Sequence, residues 1–324
     1  MTRLSVLDLA AAGNGVSANE SLRASATVAQ QAERLGYVRY WFSEHHNIPD
    51  IVSSTPSILA GYIAANTKTI RVGAGGVMLP NHSPLIIAEQ YGTLETLYPG
   101  RIDLGLGRAP GTDGETWRAL RRDPSAAERF PQDVIDLQAL LGPLQPGQQV
   151  QAVPGTGTRV PLYILGSSLF GAQLAGLLGL PYAFASHFAP TELLRATALY
   201  RHEFRPSEQL DRPYVIAGMN VFGADSTEQA TALFTKSLAR MARNLQRRSG
   251  DDTHFDDDVI LQSPIAAHAR HMLSYTAFGT ADTIRKQVQE FATIATADEV
   301  MVVMSTSDLD ARLRSYEILA ATFD

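Results

Sequence analysis

The densest group of side chains able to do chemistry lies at residues 43–47. A serine, a glutamate, two consecutive histidines and an asparagine follow the aromatic, strand-prone run 37–42. Neighbouring residues of an extended segment point in opposite directions, so Glu44 and His46 are expected on one side and His45 on the other. An imidazole in a pocket can donate a hydrogen bond or move a proton near neutral pH. The cluster therefore indicates either acid–base chemistry or a hydrogen-bonded structural pair.

A metal site would need ligands beyond this cluster. His82 and His187 could supply them, but the chain has no HExxH spacing and no supporting acidic pair. It also contains no cysteine, which excludes disulfides, thiolate–metal sites, iron–sulfur clusters and a cysteine nucleophile. We therefore predict no metal site.

Glycines interrupt a strand-like run at residues 73–76. The segment reads Gly-Ala-Gly-Gly between apolar residues. Glycine weakens a strand, so it typically marks a bulge or the close approach of a ligand. Packing against a large neighbouring side chain is the alternative.

A second glycine-bearing segment, 105–111, contains Arg108. Its spacing is not that of a dinucleotide-binding loop, and Pro110 and Gly111 lead into polar sequence rather than a helix. We therefore reject a Rossmann assignment. What remains is an arginine at a strand end, either a surface cation or a ligand for an anion.

Small polar residues precede a predicted helix at Gly166, Ser167 and Ser168. Free N–H groups and hydroxyls at a helix N-terminus form an anion site, although a plain serine N-cap is the alternative. A similar segment after the seventh predicted strand contains Asp225, which would repel a phosphate. We therefore prefer Ser167 as the anion ligand.

The elements that must position these residues alternate regularly between strand and helix. Short apolar segments, each followed by a helical pattern, lie at 4–9, 37–42, 70–79, 101–106, 162–165, 182–185, 214–222 and 299–305. Eight such pairs favour a parallel (β/α)₈ TIM barrel over a doubly wound open sheet. Residues 109–122 are interpreted as a polar loop. Residues 244–278 are polar and irregular, and we interpret them as an insertion between strands seven and eight.

The bulk composition fits one domain over residues 1–324. A net charge of −6 makes a nucleic acid or an anionic membrane an unfavourable partner. The chain has no run of about 18 apolar residues that would cross a bilayer and no signal peptide, so we expect a cytoplasmic protein. In a barrel the functional residues lie in the loops after the strands, where the four segments above are placed.

The sequence resembles the bacterial luciferase-like, flavin-dependent monooxygenases, and specifically their single-subunit branch. The resemblance covers nearly the whole chain and depends on the order and spacing of four blocks, at 41–47, 72–84, 100–108 and 162–181. It implies a (β/α)₈ barrel that holds flavin mononucleotide (FMN) at the C-terminal ends of its strands.

The resemblance also implies roles for two of the segments. His45 corresponds to the catalytic histidine, and Glu44 would orient its neighbours. A cis peptide bond behind the flavin ring corresponds to Gly75–Gly76, with Met78 in the same strand.

The remaining cofactor residues concern the flavin phosphate. Arg108 corresponds to the arginine that contacts it, and Arg129 corresponds to a second phosphate arginine. Gly166, Ser167 and Ser168 correspond to the small residues that open the helix beside the phosphate, in agreement with the anion site inferred above.

The function implied is oxygenation of a small organic substrate by reduced FMN and O₂. A separate flavin reductase would supply the reduced FMN, since the chain has no nicotinamide fingerprint. His46 and His187 are candidates for the substrate side. A deazaflavin (F420)-dependent oxidoreductase and a non-catalytic flavin-binding protein are the alternatives, and a homodimer is expected of the family. The lack of cysteine argues against light emission.

Overall fold

A computed structural model describes residues 2–13, 15–109, 114–251, 253 and 255–323, and of Pro124 and Arg248 the backbone alone. The strands are β1 Arg3–Asp8, β2 Arg39–Phe42, β3 Arg71–Met78, β4 Ile102–Gly107, β5 Leu162–Gly166, β6 Tyr182–Phe184, β7 Val215–Gly223, β8 Thr276–Gly279 and β9 Glu299–Val303. The helices are α1 Ala18–Arg34, α2 Pro56–Asn66, α3 Pro84–Leu97, α4 Gly114–Ala119, α5 Phe130–Leu141, α6 Leu169–Leu178, α7 Leu193–Glu203, α8 Thr227–Arg248, α9 Asp257–Gln262, α10 Pro264–Met272, α11 Ala281–Ile294 and α12 Leu309–Ala321. Two 3₁₀ segments cover Leu79–Asn81 and Pro124–Arg129.

Eight of the strands close into the predicted barrel. All pairings between them are parallel, and they run in the order β1-β2-β3-β4-β5-β6-β7-β9, with β9 pairing back to β1. The strands are buried on both faces, which explains why their sequences are continuous apolar runs and do not alternate between apolar and polar residues. The (β/α)₈ prediction is confirmed.

The insertion is more ordered than the sequence suggested. We predicted residues 244–278 to be irregular; instead α8 continues to Arg248, and α9 and α10 follow it. Their small and apolar residues, including Ala266 and Ala269, pack against Leu238 and Ala242 of α8. Residues 252 and 254, in the same segment, lie outside the described part of the chain.

A ninth strand, β8, also falls in this segment and was not predicted. It has only four residues and pairs with the last four of β7, Asn220–Gly223; Asn220 is also the last residue of β7 that pairs with β9. A strand this short gives little periodicity, and its partner is set by the unusual length of β7. It lies outside the closed barrel.

The predicted polar loop at 109–122 contains a short helix, α4. Residues 110–113, which include Pro110 and Gly111, lie outside the described residues. The loop prediction is therefore wrong for the part that α4 occupies. A six-residue helix with no buried residue lacks the apolar stripe by which a helix is recognised in sequence.

The barrel interior has its own small core, separate from the larger one between strands and helices. Its buried apolar residues come from six strands: Leu7, Trp41, Tyr163, Ala183, Ile216, Met301 and Val303. Because alternate strand residues face inward, this layer fills the barrel and leaves the residues two positions further on to form its mouth.

Candidate active site

Glu44, just after β2, is the buried centre of a hydrogen-bond network. Its Oε1 lies 2.8 Å from Nε2 of both His46 and His82, and its Oε2 accepts the N–H of Met78 at 3.0 Å. Burial alone would raise the pKa of Glu44, but hydrogen bonds from the two histidines and Met78 outweigh it and lower the pKa to about 2. Glu44 is therefore an ionised group that ties the end of β2 to the end of β3.

His45 points to the other side of the segment, as its alternation with Glu44 and His46 predicted. Its Nδ1 lies 3.0 Å from Oγ of Ser43, which in turn lies 3.0 Å from Oγ of Ser53. Both serines are buried, whereas His45 is half-buried. The serine pair fixes the orientation of the His45 ring at the mouth of the barrel.

His187, after β6, lies close enough to His45 for the two rings to interact electrostatically. Burial lowers the pKa of His187, and the nearby His45 lowers it further, to about 3. Gly218 of β7 makes room for the ring, because a β-carbon there would lie 2.4 Å from Nδ1 of His187. The structure thus brings together two of the histidines that the sequence singled out, and His187 is neutral at ordinary pH.

The glycines of β3 have a packing role. A β-carbon on Gly75 would lie 2.9 Å from Leu7 and Trp41, and one on Gly76 would lie 2.7 Å from the carbonyl oxygen of Gly105. The register against β4 also shifts here, as at a bulge. Both the bulge and the alternative of packing against a large neighbour are therefore present. The Gly75–Gly76 peptide bond is cis, as the family resemblance implied.

Met78 ends β3 at the same edge of the barrel. Its sulfur packs against Gly107, where a β-carbon would lie 2.9 Å away. Its N–H is the group that binds Glu44. Met78 therefore connects the Glu44 network to the end of β4.

Arg108 follows β4 and lies beside the N-terminus of α6. It is exposed, and its guanidinium carbon lies 4.1 Å from the centre of the Phe170 ring. Ser168 is the N-cap of α6 but makes no side-chain capping hydrogen bond, so it is not a plain serine cap. A β-carbon on Gly166 would meet no atom closer than 3.9 Å. A cation, an uncapped helix N-terminus and open space therefore lie together.

Arg129 is not brought to this group by any contact among the described residues. It is exposed at the start of α5, with Nη2 3.7 Å from a carboxylate oxygen of Asp133. Arg122 lies nearer to the strand ends, since its Nε donates to the carbonyl oxygen of Asn81 at 3.2 Å. Nothing in the polar sequence around Arg122 distinguishes it from a surface cation.

Sequence reasoning also missed Arg240 of α8, whose Nη2 donates to the carbonyl oxygen and the Oγ of Ser305 after β9. No local pattern could reveal a contact across 65 residues. In the described part of the chain no group of three or more His, Asp or Glu residues could hold a metal ion. None of the described helices combines the length and apolar character needed to span a bilayer.

Comparison with known proteins identifies the family. The family model described as luciferase-like monooxygenase matches residues 2–299. A luciferase-like monooxygenase of Escherichia coli (strain K12) is 46% identical over 317 residues, which cover 97% of this chain and 95% of that one. The crystal structure of apo-MsnO8 superposes with a TM-score of 0.89 at 33% identity and covers 100% of this chain and 98% of its own.

A more distant structure shares the fold alone. It is the oxygenating constituent of 3,6-diketocamphane monooxygenase from Pseudomonas putida in complex with FMN, with a TM-score of 0.74 at 16% identity; the match covers 99% of this chain and 97% of that one. The family match and the close relative decide the assignment. The chain belongs to the luciferase-like monooxygenase family.

Proposed function

We propose that this protein is an FMN-dependent monooxygenase that uses reduced FMN and O₂ to oxygenate a small organic substrate. Family membership supports the reaction class. The observation that carries the choice of cofactor is the exposed Arg108 beside the uncapped N-terminus of α6. Those groups fit a phosphate monoester, because a helix N-terminus offers unbonded N–H groups and a positive dipole end, and arginine adds a charged fork.

The phosphate would be held on one side of the barrel mouth. Arg108 binds it from β4, and the N–H groups and hydroxyls of Ser167 and Ser168 bind it from α6. Gly166 leaves the space for its approach. Arg129 is included as a second cation, one that would have to reach over from the start of α5.

Gly75, Gly76 and Met78 would hold the isoalloxazine ring. Bound reduced FMN supplies the electrons that activate O₂. His45, oriented by Ser43, holds or donates a proton at the reacting face through its imidazole. Glu44 positions the loop that carries His45 and does not itself reach the ligand, since it is buried among its hydrogen-bond donors.

The proposed partners are a flavin reductase and a second copy of the chain. The reductase is proposed because the sequence contains no nicotinamide fingerprint. The second copy is proposed to pack on α2 and α3, which expose Ile58 and Leu97 at 69% and 63% and also Tyr62 and Ile86. In a two-fold dimer the same apolar face covers itself. Sedimentation of Ile58→Lys as a monomer, against a wild-type dimer, would support this packing; a wild-type monomer would exclude it.

The cofactor is tested by titration of the purified protein with FMN, riboflavin and F420, followed by flavin fluorescence. We expect FMN to bind most tightly and Arg108→Gln to weaken it by about 10- to 100-fold, the value of a charge-assisted hydrogen bond to phosphate. Riboflavin, which lacks the phosphate, should bind wild type and variant alike. The control is Arg118→Gln on α4, an exposed arginine paired with Glu115, which should leave all affinities unchanged.

Three results would contradict the proposal. Tighter binding of F420 than of FMN would indicate the deazaflavin alternative. An equal loss of riboflavin affinity in Arg108→Gln would mean that Arg108 does not bind phosphate. No oxygen consumption beyond the protein-free rate, with reduced FMN and a broad substrate panel, would indicate a flavin-binding protein without catalysis.

A further inference from the structure

Arg240 differs from three arginines that hold ion pairs inside the molecule. It also differs from the half-buried Arg101, which has no carboxylate partner among the described residues but bonds to neutral oxygens through all three of its nitrogens. Arg39 and Arg312 are buried and Arg71 is half-buried, and each forms an ion pair with a carboxylate at 2.6–2.8 Å. Arg240 is half-buried, yet within the described ranges its guanidinium bonds only to neutral oxygens of Ser305, and only through Nη2. Its charge is not balanced by direct contact.

The charged neighbours of Arg240 do not compensate for this. Burial lowers the pKa of Arg240, Asp50 raises it and Arg243 lowers it. Arg243 already forms an ion pair with Asp257, and Asp50 lies 3.3 Å from Arg247. Each of these neighbours therefore has a partner, and the guanidinium of Arg240 keeps donors available for a further anion.

The position of Arg240 separates it from the proposed phosphate site. Ser305 continues the inward-facing alternation of Met301 and Val303, so it lies at the mouth of the barrel. In the closed order of strands, β9 is four places from β4 in either direction. Arg240 and Arg108 are therefore placed on opposite sides of the mouth.

His187 offers a donor two strands away from Arg240. Its Nδ1 is buried with no partner among the residues described, against the backbone of Gly218. A neutral imidazole has one N–H and one acceptor nitrogen, and an unpaired buried acceptor is less costly than an unpaired N–H. The proton is therefore assigned to Nε2, on the less buried side of this half-buried ring.

We propose that Arg240 and His187 form a substrate subsite for an organic carboxylate, across the mouth from the flavin phosphate. The carboxylate binds the guanidinium of Arg240, and the Nε2–H of His187 donates to a second oxygen of the substrate. Strands β6, β7 and β9 are consecutive in the barrel, so the two groups lie on the same side of the mouth. The subsite would define the substrate class of the proposed monooxygenase, and it therefore rests on that proposed function.

The test compares matched carboxylates and amides as probes: hexanoate with hexanamide, and N-acetylmethionine with its amide. Binding is followed by calorimetry on the full chain with and without FMN. We expect wild type to prefer each carboxylate by about tenfold or more, and Arg240→Gln to abolish that preference. Arg240→Lys should restore part of it, because the charge returns without the planar fork.

The matched control is Arg243→Gln, which removes the same charge one turn along α8 from a residue that already has a carboxylate partner. It should keep the preference within about twofold, since the direct charge-assisted contact is intact. His187→Gln, which retains an N–H donor, should bind more tightly than His187→Leu. Unchanged melting temperatures would show that the variants are folded.

The subsite would be overturned by the absence of a carboxylate preference in wild type, or by the same preference in Arg240→Gln. A loss of FMN affinity in Arg240→Gln as large as that in Arg108→Gln would also overturn it, by making Arg240 a phosphate ligand. If FMN does not bind but the Arg240-dependent preference persists, the subsite stands and the proposed cofactor fails.

Discussion

The N-terminal and C-terminal ends of the barrel differ in how their charged side chains are paired. At the N-terminal end, Arg39 of β2 donates to Asp103 at 2.8 Å and to Glu299 at 2.8 and 3.0 Å, and also to the hydroxyl of Tyr163. All four side chains are buried, and Arg71 closes the network by a second contact to Asp103. The network contains two positive groups, Arg39 and Arg71, and two negative groups, Asp103 and Glu299.

At the C-terminal end, Arg108 and Arg240 have no carboxylate partner among the residues that the structure describes. Of the buried carboxylates at this end, Glu44 binds imidazole and amide N–H groups instead of an arginine, whereas Asp8, the last residue of β1, pairs with Arg312 of α12 at 2.8 Å. The difference separates structural charge from functional charge. Pairs that neutralise each other inside a closed network hold strands together, whereas cations left without a partner at the strand ends are available to an anionic ligand.

The largest expected effect comes from breaking the closed network. Asp103→Asn keeps the size of the side chain but leaves Arg39 and Arg71 without the carboxylate they share. Removing one partner of a buried ion pair costs about 3–5 kcal/mol, so the free energy of unfolding in urea should fall by that amount. FMN affinity of the folded fraction should not change.

The control for Asp103→Asn is the same substitution at Asp225, whose carboxylate pairs with Arg314 on the surface. Solvent screens that pair, and no shift of the urea midpoint is expected. A stability loss at Asp103 no larger than the one at Asp225 would contradict the structural role of the network.

Local patterns in the sequence were sufficient for the fold and for most of the mouth. Each strand and the residues just after it are contiguous, so once the alternation indicates a parallel barrel, topology alone places His45, Arg108 and Ser167 at one end. The alternation of strand residues also separated His45 from Glu44. These inferences need no knowledge of which strands face each other across the barrel.

The closed network could not be predicted in the same way. Arg39 and Glu299 are 260 positions apart, and only closure of the sheet brings β9 beside β1 and near β2. The contact between Arg240 and Ser305 could not be predicted for a related reason, since it depends on how α8 packs over the strand ends. The short strand β8 was missed because its pairing depends on β7 extending beyond β9.

An intermediate effect is expected at Glu44, a buried carboxylate at the C-terminal end of the barrel. Its pKa in the folded protein is about 2, against an ordinary value of 4.5. A lowered pKa stabilises the fold above pH 4.5, and this stabilisation is lost as the pH falls from 4.5 towards 2. The shift corresponds to at most about 3 kcal/mol. Glu44→Gln should therefore be less stable than wild type at pH 7 by about 2–3 kcal/mol.

Urea denaturation of Glu44→Gln and wild type at several pH values checks this. The difference between them should be constant above pH 4.5 and shrink as the pH approaches 2. Glu115→Gln, which removes an exposed carboxylate, controls for the loss of one negative charge. A difference that stays constant down to pH 2 would mean that Glu44 acts through its shape and not through its charge.

The smallest effect on stability is expected at Arg108, and exchanging one arginine at each end for glutamine is the sharpest test of the comparison. Arg71→Gln removes two hydrogen bonds to the buried Asp103 and should cost about 2–3 kcal/mol with or without ligand. Arg108→Gln changes an exposed residue and should alter the stability of the ligand-free protein by less than about 0.5 kcal/mol. The two variants should then differ in how much FMN stabilises them. At a concentration of 100 times the wild-type Kd, FMN stabilises wild type and Arg71→Gln by about 2.7 kcal/mol, but a 30-fold weaker Kd reduces the gain in Arg108→Gln to about 1 kcal/mol. Equal gains in the two variants would show that Arg108, at the C-terminal end, is no more available to the ligand than Arg71, which is paired with Asp103 at the N-terminal end. The distinction between the two ends would then not hold.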